Sequence, residues 1–320
     1  MILKDKIVKN INLNYNIGKI VNILENNVGR QTHYIVETDY NKFFVKILDC
    51  KNKNIHMHDE IKVCRILQEN NVLYVPNYQK RIDRKFLTKI DEYLYFNIQN
   101  YIEGKTWKKY EANDWLLFSG IDIIGDIHNI LKSTKLQQRV SILDINNTDK
   151  FLHKIELLKE RINDLSLNDN NFILEDLNLR EKILKDQSKI YLNDLTFVNG
   201  HSDYTITQLI TDKRKIKGIV DFSEVSNIPA IWEIMRFYIN SAPECKKQYI
   251  DFNKFNKFLK IYKSKIKLNK YDIDMLFKFN LYYFCQALSV YDKFIETNFS
   301  EQYINRIISR NNTIQCLLKY

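Results

Sequence analysis

The chain has 320 residues, a length that suits two lobes better than one compact core. Hydrophobic residues make up 45% and charged residues 28%, and the 7 glycines and 3 prolines are too few for a disordered chain or a many-turned all-β fold. The formal net charge is +10, but the lysines are interleaved with acids and apolar residues, which favours a solvated basic face over a nucleic-acid-binding surface.

The first hundred residues are predicted to form strands around one helix. The strand segments are short and rich in β-branched and aromatic residues. They are 19–26, 33–38, 43–48, about 80–89 and 93–98. Between the third and fourth segments, residues 57–70 place Ile61, Cys64 and Leu67 on one face of a helix. A turn is predicted at 26–29, after the first strand.

Helical patterns dominate the chain after Gly104. The predicted helices are 113–133, 146–163 and 176–192. A strand pair of about 207–211 and 216–222 follows them, and residues 230–320 are predicted to be almost entirely helical. These patterns predict a small β-rich lobe followed by a large helical lobe.

The cysteines and the hydropathy pattern predict a cytoplasmic protein with no membrane partner. The five cysteines are widely spaced, odd in number and without a Cys-x-x-Cys pair, which is typical of reduced thiols. Charged residues interrupt the apolar run at the N-terminus, so it is not expected to be a signal peptide or a membrane span.

Ionisable residues cluster between Val198 and Ile210, where a loop is predicted to lead into a strand. The cluster contains Asp203, and a second aspartate, Asp221, follows eighteen residues later at the end of a strand that is predicted to be buried. Phosphoryl transfer needs one carboxylate that orients the acceptor hydroxyl and takes its proton. It also needs oxygen ligands for Mg²⁺, such as a second carboxylate and an amide. The two aspartates therefore supply the kind of carboxylate set that phosphoryl transfer needs.

These residues resemble the signature of the aminoglycoside phosphotransferase superfamily, which also includes choline, homoserine and methylthioribose kinases and some spore-coat proteins. The signature is His-Gly-Asp, then Asn five residues later, then Asp-Phe about eighteen residues after the first Asp. The matching positions here are His201-Ser202-Asp203, Gln208 and Asp221-Phe222. The resemblance implies that Asp203 is the catalytic base, that Asp221 and Gln208 are Mg²⁺ ligands, and that His201 is a structural residue of the loop.

The resemblance extends into the N-terminal third of the chain. Lys46, in the strand Phe-Val-Lys-Ile, matches the lysine that contacts the α- and β-phosphates, and Glu60 matches its ion-pair partner on the next helix. Gly29 lies where the family has its phosphate loop. Asn100 and Ile102 match the hinge, whose backbone would hydrogen-bond adenine.

Two further matches fall in the C-terminal two thirds. Glu233, twelve residues after Asp221, matches a family carboxylate that braces the catalytic loop. The segment 124–128 matches a helix motif that ends in a buried histidine, here His128, which is interpreted as structural.

The resemblance implies an α+β, two-lobed protein-kinase-like fold. Its parts would be an N-lobe at 1–98, a hinge at 99–104 and a helical C-lobe with the acceptor pocket at 105–320. The implied function is O-phosphotransfer with Mg²⁺ from ATP or GTP to the hydroxyl of a small molecule, such as an amino sugar or amino alcohol. Lys46, Asp203 and Asp221 would then converge on one metal-bound triphosphate.

Departures from the signature support a second hypothesis, a catalytically weak or inactive kinase-like binding protein such as a spore-coat component. Ser202 replaces the usual glycine, Gln208 replaces asparagine, and Thr207 and Ser223 replace further glycines or an acid. The phosphate loop has Gly29 as its single glycine. The acceptor's identity, the choice of ATP or GTP and the oligomeric state stay open at this point.

A polycationic aminoglycoside would need acidic side chains around the acceptor. The helical lobe and its strand pair offer Glu224, Glu233, Glu244, Asp272 and Asp274. The positive net charge counts mildly against such an acceptor.

Overall fold

The computed structural model of the protein describes residues 3–26, 32–51, 57–163 and 170–320. The described chain divides into two compact units. The first unit comprises Met1–Thr106 and Gln208–Val225, and the second comprises Trp107–Thr207 and Ser226–Tyr320. The predicted turn at 26–29, which includes Gly29, lies outside the described residues beyond Asn26.

Strands and helices are numbered here in chain order. The strands are β1 (Ile20–Asn26), β2 (His33–Thr38), β3 (Lys42–Asp49), β4 (Thr88–Lys89), β5 (Leu94–Asn100), β6 (Phe197–Gly200), β7 (Leu209–Asp212), β8 (Lys215–Ile219) and β9 (Ser226–Pro229). The helices are α1 (Leu3–Asn14), α2 (Met57–Glu69), α3 (Asp114–Leu131), α4 (Val140–Leu143), α5 (Thr148–Asn163), α6 (Asn170–Lys185), α7 (Ala230–Ser241), α8 (Phe252–Lys263), α9 (Lys270–Gln286), α10 (Ser289–Glu296) and α11 (Glu301–Leu317). The predicted α+β class is confirmed.

The first unit is built on an antiparallel sheet with the strand order β1-β2-β3-β5-β4. Side chains alternate between the two faces of a strand, so the apolar residues Phe43, Val45 and Ile47 of β3 enter the core together. Lys46, between two of them, points to the opposite face, and its Cα pairs with that of Asn97 on β5. The alternation of β3 thus separates the core from the candidate site.

Helix α1 was not predicted, and the expectation of one helix in the first hundred residues is wrong. Ile7 and Ile11 of α1 are buried in the same core as Val36 and Phe96 of the sheet, and Leu3 packs against that core. Leu3, Ile7 and Ile11 are spaced four positions apart, which places them on one face of α1. Polar residues and lysines between them obscured that pattern.

The predicted strand at 80–89 is also mostly wrong, because only Thr88–Lys89 forms a strand. Residues 81–85 turn back on themselves, since the Arg81 N–H donates to the Lys85 carbonyl at 2.7 Å. Arg84 adopts a left-handed backbone with φ of 66° in this turn. The charged side chains of this segment suit an exposed turn better than a strand.

The β7–β8 hairpin belongs to the first unit although it lies more than a hundred residues downstream of the sheet. Lys105 and Thr211 exchange backbone hydrogen bonds of 2.7 and 3.0 Å, and the Ile219 N–H donates to the Tyr74 carbonyl at 2.7 Å. Gly104 makes this pairing possible, because a Cβ atom there would lie 2.6 Å from the Thr211 carbonyl oxygen. The hairpin brings Asp221 to the first unit.

The second unit is mainly helical, with a two-stranded ladder of β6 and β9. Helix α3 is capped at its N-terminus by Asn113, whose side chain accepts the Leu116 N–H, and its apolar face is buried. Helix α7 is buried along almost its whole length. Helix α6 ends earlier than the predicted 176–192. Ile190 lies beyond it, and the backbone N–H and carbonyl of Ile190 pair with the Asn146 side chain at 2.9 and 2.8 Å.

Within the described residues, no helix is both long enough and apolar enough to cross a membrane.

Candidate active site

Lys46 lies between two carboxylates that are far apart in the sequence. Its Nζ is 2.8 Å from Glu60 Oε1 on α2 and 2.8 Å from Asp221 Oδ1 after β8. Glu60 is buried and Lys46 nearly so, while 43% of the Asp221 side chain is exposed. The structure therefore presents one cation, one buried anchor and one accessible carboxylate in a single cluster.

Electrostatics keep the Lys46 ammonium charged. Burial by itself would lower the pKa of Lys46, but the charges of Glu60 and Asp221 and their hydrogen bonds outweigh it and raise the pKa above the ordinary value. A permanently charged ammonium at this position is suited to hold an anionic ligand such as a nucleotide phosphate.

The backbone at Asp221 places its side chain at the end of the β7–β8 hairpin. Asp221 has a left-handed conformation with φ of 65°, which is uncommon outside glycine and frequent at functional sites. Its Oδ1 also accepts the Ser223 hydroxyl at 2.8 Å. The Val220 N–H donates to the Gln208 carbonyl at 3.0 Å, so the backbone of one predicted Mg²⁺ ligand, Gln208, pairs with the residue that precedes the other, Asp221.

The donor types at this hairpin end fit Mg²⁺. A carboxylate and an amide carbonyl are hard oxygen donors, and Mg²⁺ in phosphotransfer sites needs only one or two protein ligands beside phosphate and water. Within the described residues, no group of three or more His, Cys, Asp or Glu side chains is arranged to hold a metal. A site of one carboxylate and one amide would not form such a group, so the finding is compatible with the prediction.

The predicted hinge follows β5. The Asn100 N–H donates to the Asn77 carbonyl at 2.9 Å, and the Asn100 side chain accepts from Gln79 at 2.6 Å. Among the described residues, no hydrogen bond is found to the Ile102 N–H, whereas the Ile102 side chain packs near Gly218 of β8. Of the two residues, Ile102 therefore has the N–H that can donate to a base.

Glu233 organises the loop that carries Asp203 in the second unit. Its Oε1 accepts the Ser202 N–H at 2.5 Å, and its Oε2 accepts the His201 N–H at 3.2 Å. His128 lies 2.7 Å from the same Oε2 through Nε2, and its Nδ1 lies 2.8 Å from the Tyr262 hydroxyl. Glu233 is fully buried, so these contacts fix the loop from the protein interior.

Gly200 is expected to tolerate no side chain, because a Cβ atom there would lie 2.3 Å from Glu233 Oε2 and 2.7 Å from Ile228 Cδ1. Gly200→Ala should lower the free energy of unfolding by about 2–3 kcal/mol through overpacking. Gly125→Ala is the matched control, since its Cβ would meet the flexible Lys265 chain at 3.1 Å and alanine favours the helix. Urea unfolding followed by tryptophan fluorescence measures both, and equal stability of the two variants would contradict the expectation.

The pKa of Glu233 is lowered although the group is buried. Burial would raise the pKa of this carboxyl, but the His128 hydrogen bond, the charges of His128 and His201 and the Ser202 N–H hold it below its ordinary value of 4.5. Ionised Glu233 therefore stabilises the fold fully above about pH 4.5, and this contribution is lost as the pH falls through the lowered folded-state pKa.

Glu233→Gln is expected to lower the free energy of unfolding at neutral pH by about 3–5 kcal/mol, because it removes a buried charge that accepts several hydrogen bonds. The difference from the wild type should shrink as the pH falls below 4.5, where the wild type loses the same charge. Urea unfolding across the pH range measures this difference, with the exposed Glu296→Gln as control. A stability difference that stays constant with pH would show that the charge on Glu233 does not stabilise the fold.

Sequence reasoning missed Arg236, whose guanidinium contacts the Asp203 carboxylate. Arg236 lies on α7 three residues after Glu233, so the helix that braces the loop also supplies this cation. The spacing places Arg236 near Glu233 on α7, but no sequence pattern connects Arg236 to Asp203, 33 positions earlier. The Asp203 side chain is 32% exposed and the Arg236 side chain 24%, so both reach the surface of the second unit.

The predicted site residues thus fall into two groups. The first unit holds Lys46, Glu60 and Asp221 in contact, with Gln208, Asn100 and Ile102 at their hairpin and hinge positions. The second unit holds Asp203 on a loop fixed by Glu233 and adjoining His201. Their roles toward a nucleotide stay predictions.

A sheet lysine paired with a glutamate on the following helix is the arrangement of the protein-kinase-like phosphotransferases. The chain belongs to the phosphotransferase enzyme family, whose sequence model matches residues 22–258. The resemblance stated from the sequence and the predicted enzyme class, a phosphotransferase, are confirmed. No curated protein sequence matches the chain.

Solved structures share the fold at low sequence identity. Amicoumacin kinase in complex with AMP-PNP, Ca²⁺ and Ami is 13% identical with a TM-score of 0.67, covering 98% of this chain and 93% of that chain. Spectinomycin phosphotransferase in complex with ADP and spectinomycin is 14% identical with a TM-score of 0.66, covering 98% and 97%. Choline kinase from Cryptosporidium parvum Iowa II is 14% identical with a TM-score of 0.60, covering 99% and 96%.

Proposed function

We propose that the protein transfers the γ-phosphoryl group of ATP or GTP to a hydroxyl group of a small molecule. The observation that carries this proposal is the Lys46 ammonium, 2.8 Å from both Glu60 and Asp221. An ion pair of this kind positions a lysine for nucleotide phosphates in kinase-like enzymes. The complexes of amicoumacin kinase with AMP-PNP and of spectinomycin phosphotransferase with ADP support a nucleotide as the donor.

In the proposed reaction, the acceptor oxygen forms a bond to the γ-phosphorus while the bond from that phosphorus to the β,γ-bridging oxygen breaks. The nucleoside diphosphate leaves with the electron pair of the broken bond. Asp203 orients the acceptor hydroxyl and takes its proton, which then passes to solvent. Lys46 holds the donor phosphates, and the backbone N–H of Ile102, together with the Asn100 backbone, binds the base.

Asp221 and Gln208 would hold Mg²⁺, and bound Mg²⁺ would neutralise charge on the β- and γ-phosphates. The Lys46 and Ser223 contacts occupy Oδ1 of Asp221 and fix the orientation of its carboxylate. His201 and Glu233 hold the Asp203 loop in position. The role of Gly29, in the phosphate loop, rests on the family resemblance alone.

The acceptor in this proposal is a small hydroxyl-bearing molecule, and amino sugars and amino alcohols are the first candidates. Among the structural neighbours, choline kinase and an aminopropanol kinase carry such acceptors in their names. At identities of 12–14%, these neighbours establish the fold, and the acceptor must be found by experiment.

A thermal-shift titration with ATP and GTP, with and without Mg²⁺, tests the nucleotide site. We expect the nucleotide to raise the melting temperature of the wild type in a Mg²⁺-dependent way, because a ligand that binds only the folded state stabilises it. Asp221→Asn should lose most of the Mg²⁺ dependence. No shift and no slow nucleotide hydrolysis would favour the kinase-like binding protein, for which Gln208 in place of asparagine is the motivating observation.

A further inference from the structure

Two of the acids that could attract a polycationic acceptor already bind other protein groups within the second unit. Glu233 is fully buried beneath the Asp203 loop. Glu244 is buried, accepts the Tyr238 hydroxyl at 2.7 Å and lies 3.1 Å from Lys254 Nζ. Neither carboxylate is left to bind an ammonium group of a ligand.

Two other acids on α9 are engaged in the same way. Asp272 is buried and forms a capping box with Asn269, and its Oδ1 accepts the Thr196 N–H at 2.8 Å. Asp274 lies 2.6 Å from Lys270 on the exposed face of α9. The fifth candidate, Glu224, belongs to the first unit. The second unit therefore does not offer this acidic set for an aminoglycoside.

Basic side chains, in contrast, lie near Asp203. The Arg236 guanidinium contacts the Asp203 carboxylate. Lys109 lies near Arg236, Arg306 and Arg310, and although part of Lys109 reaches solvent, surrounding protein and these guanidinium charges lower its pKa to about 8. Arg310 is held in place by donating to the Ala287 carbonyl at 2.5 Å. Arg236 thus contacts the Asp203 carboxylate, and Lys109 lies within electrostatic reach of both Asp203 and the neighbouring guanidinium groups.

The other side of the Asp203 loop carries a further guanidinium. Arg139 donates to the Ser202 carbonyl at 3.4 Å. The guanidinium carbons of Arg139 and Arg236 lie 5.3 and 5.4 Å from the centroid of the Trp232 ring, which is buried. Among the described residues, no hydrogen-bond acceptor is found for Arg236 Nε or Trp232 Nε1, although both atoms are buried. Buried donors without an acceptor are uncommon and costly unless a ligand supplies one.

Building on the proposed phosphotransfer, we propose that the acceptor alcohol carries a carboxylate or phosphate group that Arg236 and Lys109 bind beside Asp203. Arginine guanidinium groups suit the oxygen geometry of carboxylates and phosphates. An acceptor with several ammonium groups would be repelled by the same cations. An acceptor with both an amine and an acid remains compatible with this charge arrangement.

Matched acceptors that differ only in one terminal group test the charge preference. Glycerate, glycerol phosphate, glycerol and aminopropanediol share a three-carbon skeleton, and gluconate, glucitol and glucamine share a six-carbon skeleton. Transfer rates with Mg²⁺ and ATP or GTP, and calorimetric binding with Mg²⁺ and AMP-PNP, are measured for each. We expect the acids to exceed the amines of equal length by about tenfold or more in kcat/KM and affinity. Comparison of glycerate with glycerol phosphate shows whether the site prefers a carboxylate or a phosphate group.

Lys109→Gln tests the assigned cation, and Lys260→Gln, an exposed lysine on α8, is the matched control. Lys109→Gln should raise the KM for the preferred acid by about 10- to 100-fold, with a smaller effect on kcat, because a charge-assisted hydrogen bond is lost. Lys260→Gln should leave the KM unchanged. A fall in kcat at constant KM would assign these cations to the transferred phosphoryl group instead and overturn the proposal.

The outcomes separate this inference from the phosphotransfer on which it rests. Preference for the amines, or no binding of any acid at millimolar concentration while Mg²⁺ and nucleotide still shift the melting temperature, overturns the anionic acceptor alone. Absence of the nucleotide shift overturns the proposed function, and the acceptor assignment with it.

Discussion

Asp203→Asn is expected to lower phosphoryl transfer by at least about 10²–10⁴-fold while nucleotide affinity changes little. Asparagine keeps the size of the side chain and can still accept the contact from Arg236, but it cannot take the proton of the acceptor hydroxyl. The contacts of Lys46 with Glu60 and Asp221 are made within the first unit, so the substitution removes neither of them. Steady-state transfer rates measure the loss, and calorimetry measures nucleotide binding.

Asp274→Asn is the matched control, because it removes an exposed carboxylate that pairs with Lys270 one helical turn away. We expect this variant to transfer phosphate like the wild type. An Asp203→Asn protein that also turns over like the wild type would remove Asp203 from the mechanism. A loss of nucleotide binding equal to the loss of rate would make Asp203 a binding residue instead of a base.

Lys46→Met has the second large expected effect, because it leaves Glu60 buried without its cation. Breaking a buried pair by removal of one partner lowers the free energy of unfolding by about 3–5 kcal/mol. Loss of a charge-assisted contact to phosphate should weaken nucleotide binding by about 10- to 100-fold. Urea unfolding followed by circular dichroism and calorimetric titration with AMP-PNP measure the two effects.

Lys42→Met is the control on the same strand. Lys42 lies at the start of β3 and forms an exposed ion pair with Glu37 at 3.3 Å, so we expect little change in stability or affinity. Unchanged nucleotide affinity in Lys46→Met would contradict the assignment of Lys46 to the donor phosphates, even if the protein were destabilised.

Much of the first unit was predictable because its patterns are local. The apolar alternation of β3 and the helical face of α2 gave the correct elements, and the fourteen residues from Lys46 to Glu60 connect them directly. Helix α1 was missed because polar and charged residues separate Leu3, Ile7 and Ile11. Its burial depends on the sheet that follows, and a local pattern carries little information about that partner.

Long-range arrangement explains what could not be predicted in the second unit. The contact of Arg236 with Asp203 joins residues 33 positions apart, and the family signature contains no such arginine. Asp272 and Asp274 look alike in the sequence, yet one is a buried cap and the other an exposed partner of Lys270. Which acids face a ligand is decided by tertiary hydrogen bonding, so the charge of the acceptor region became clear only from the structure.

Transfer of label from γ-phosphate-labelled ATP or GTP to an acceptor tests the central claim most directly. With Mg²⁺ and the acceptor panel, the wild type should form a stable phosphate ester with at least one hydroxylated acceptor, and Asp221→Asn should form almost none. Wild-type protein that binds no nucleotide and labels no acceptor would contradict the account. Equal labelling by the wild type and Asp221→Asn would exclude the Lys46–Glu60–Asp221 cluster as the phosphate site.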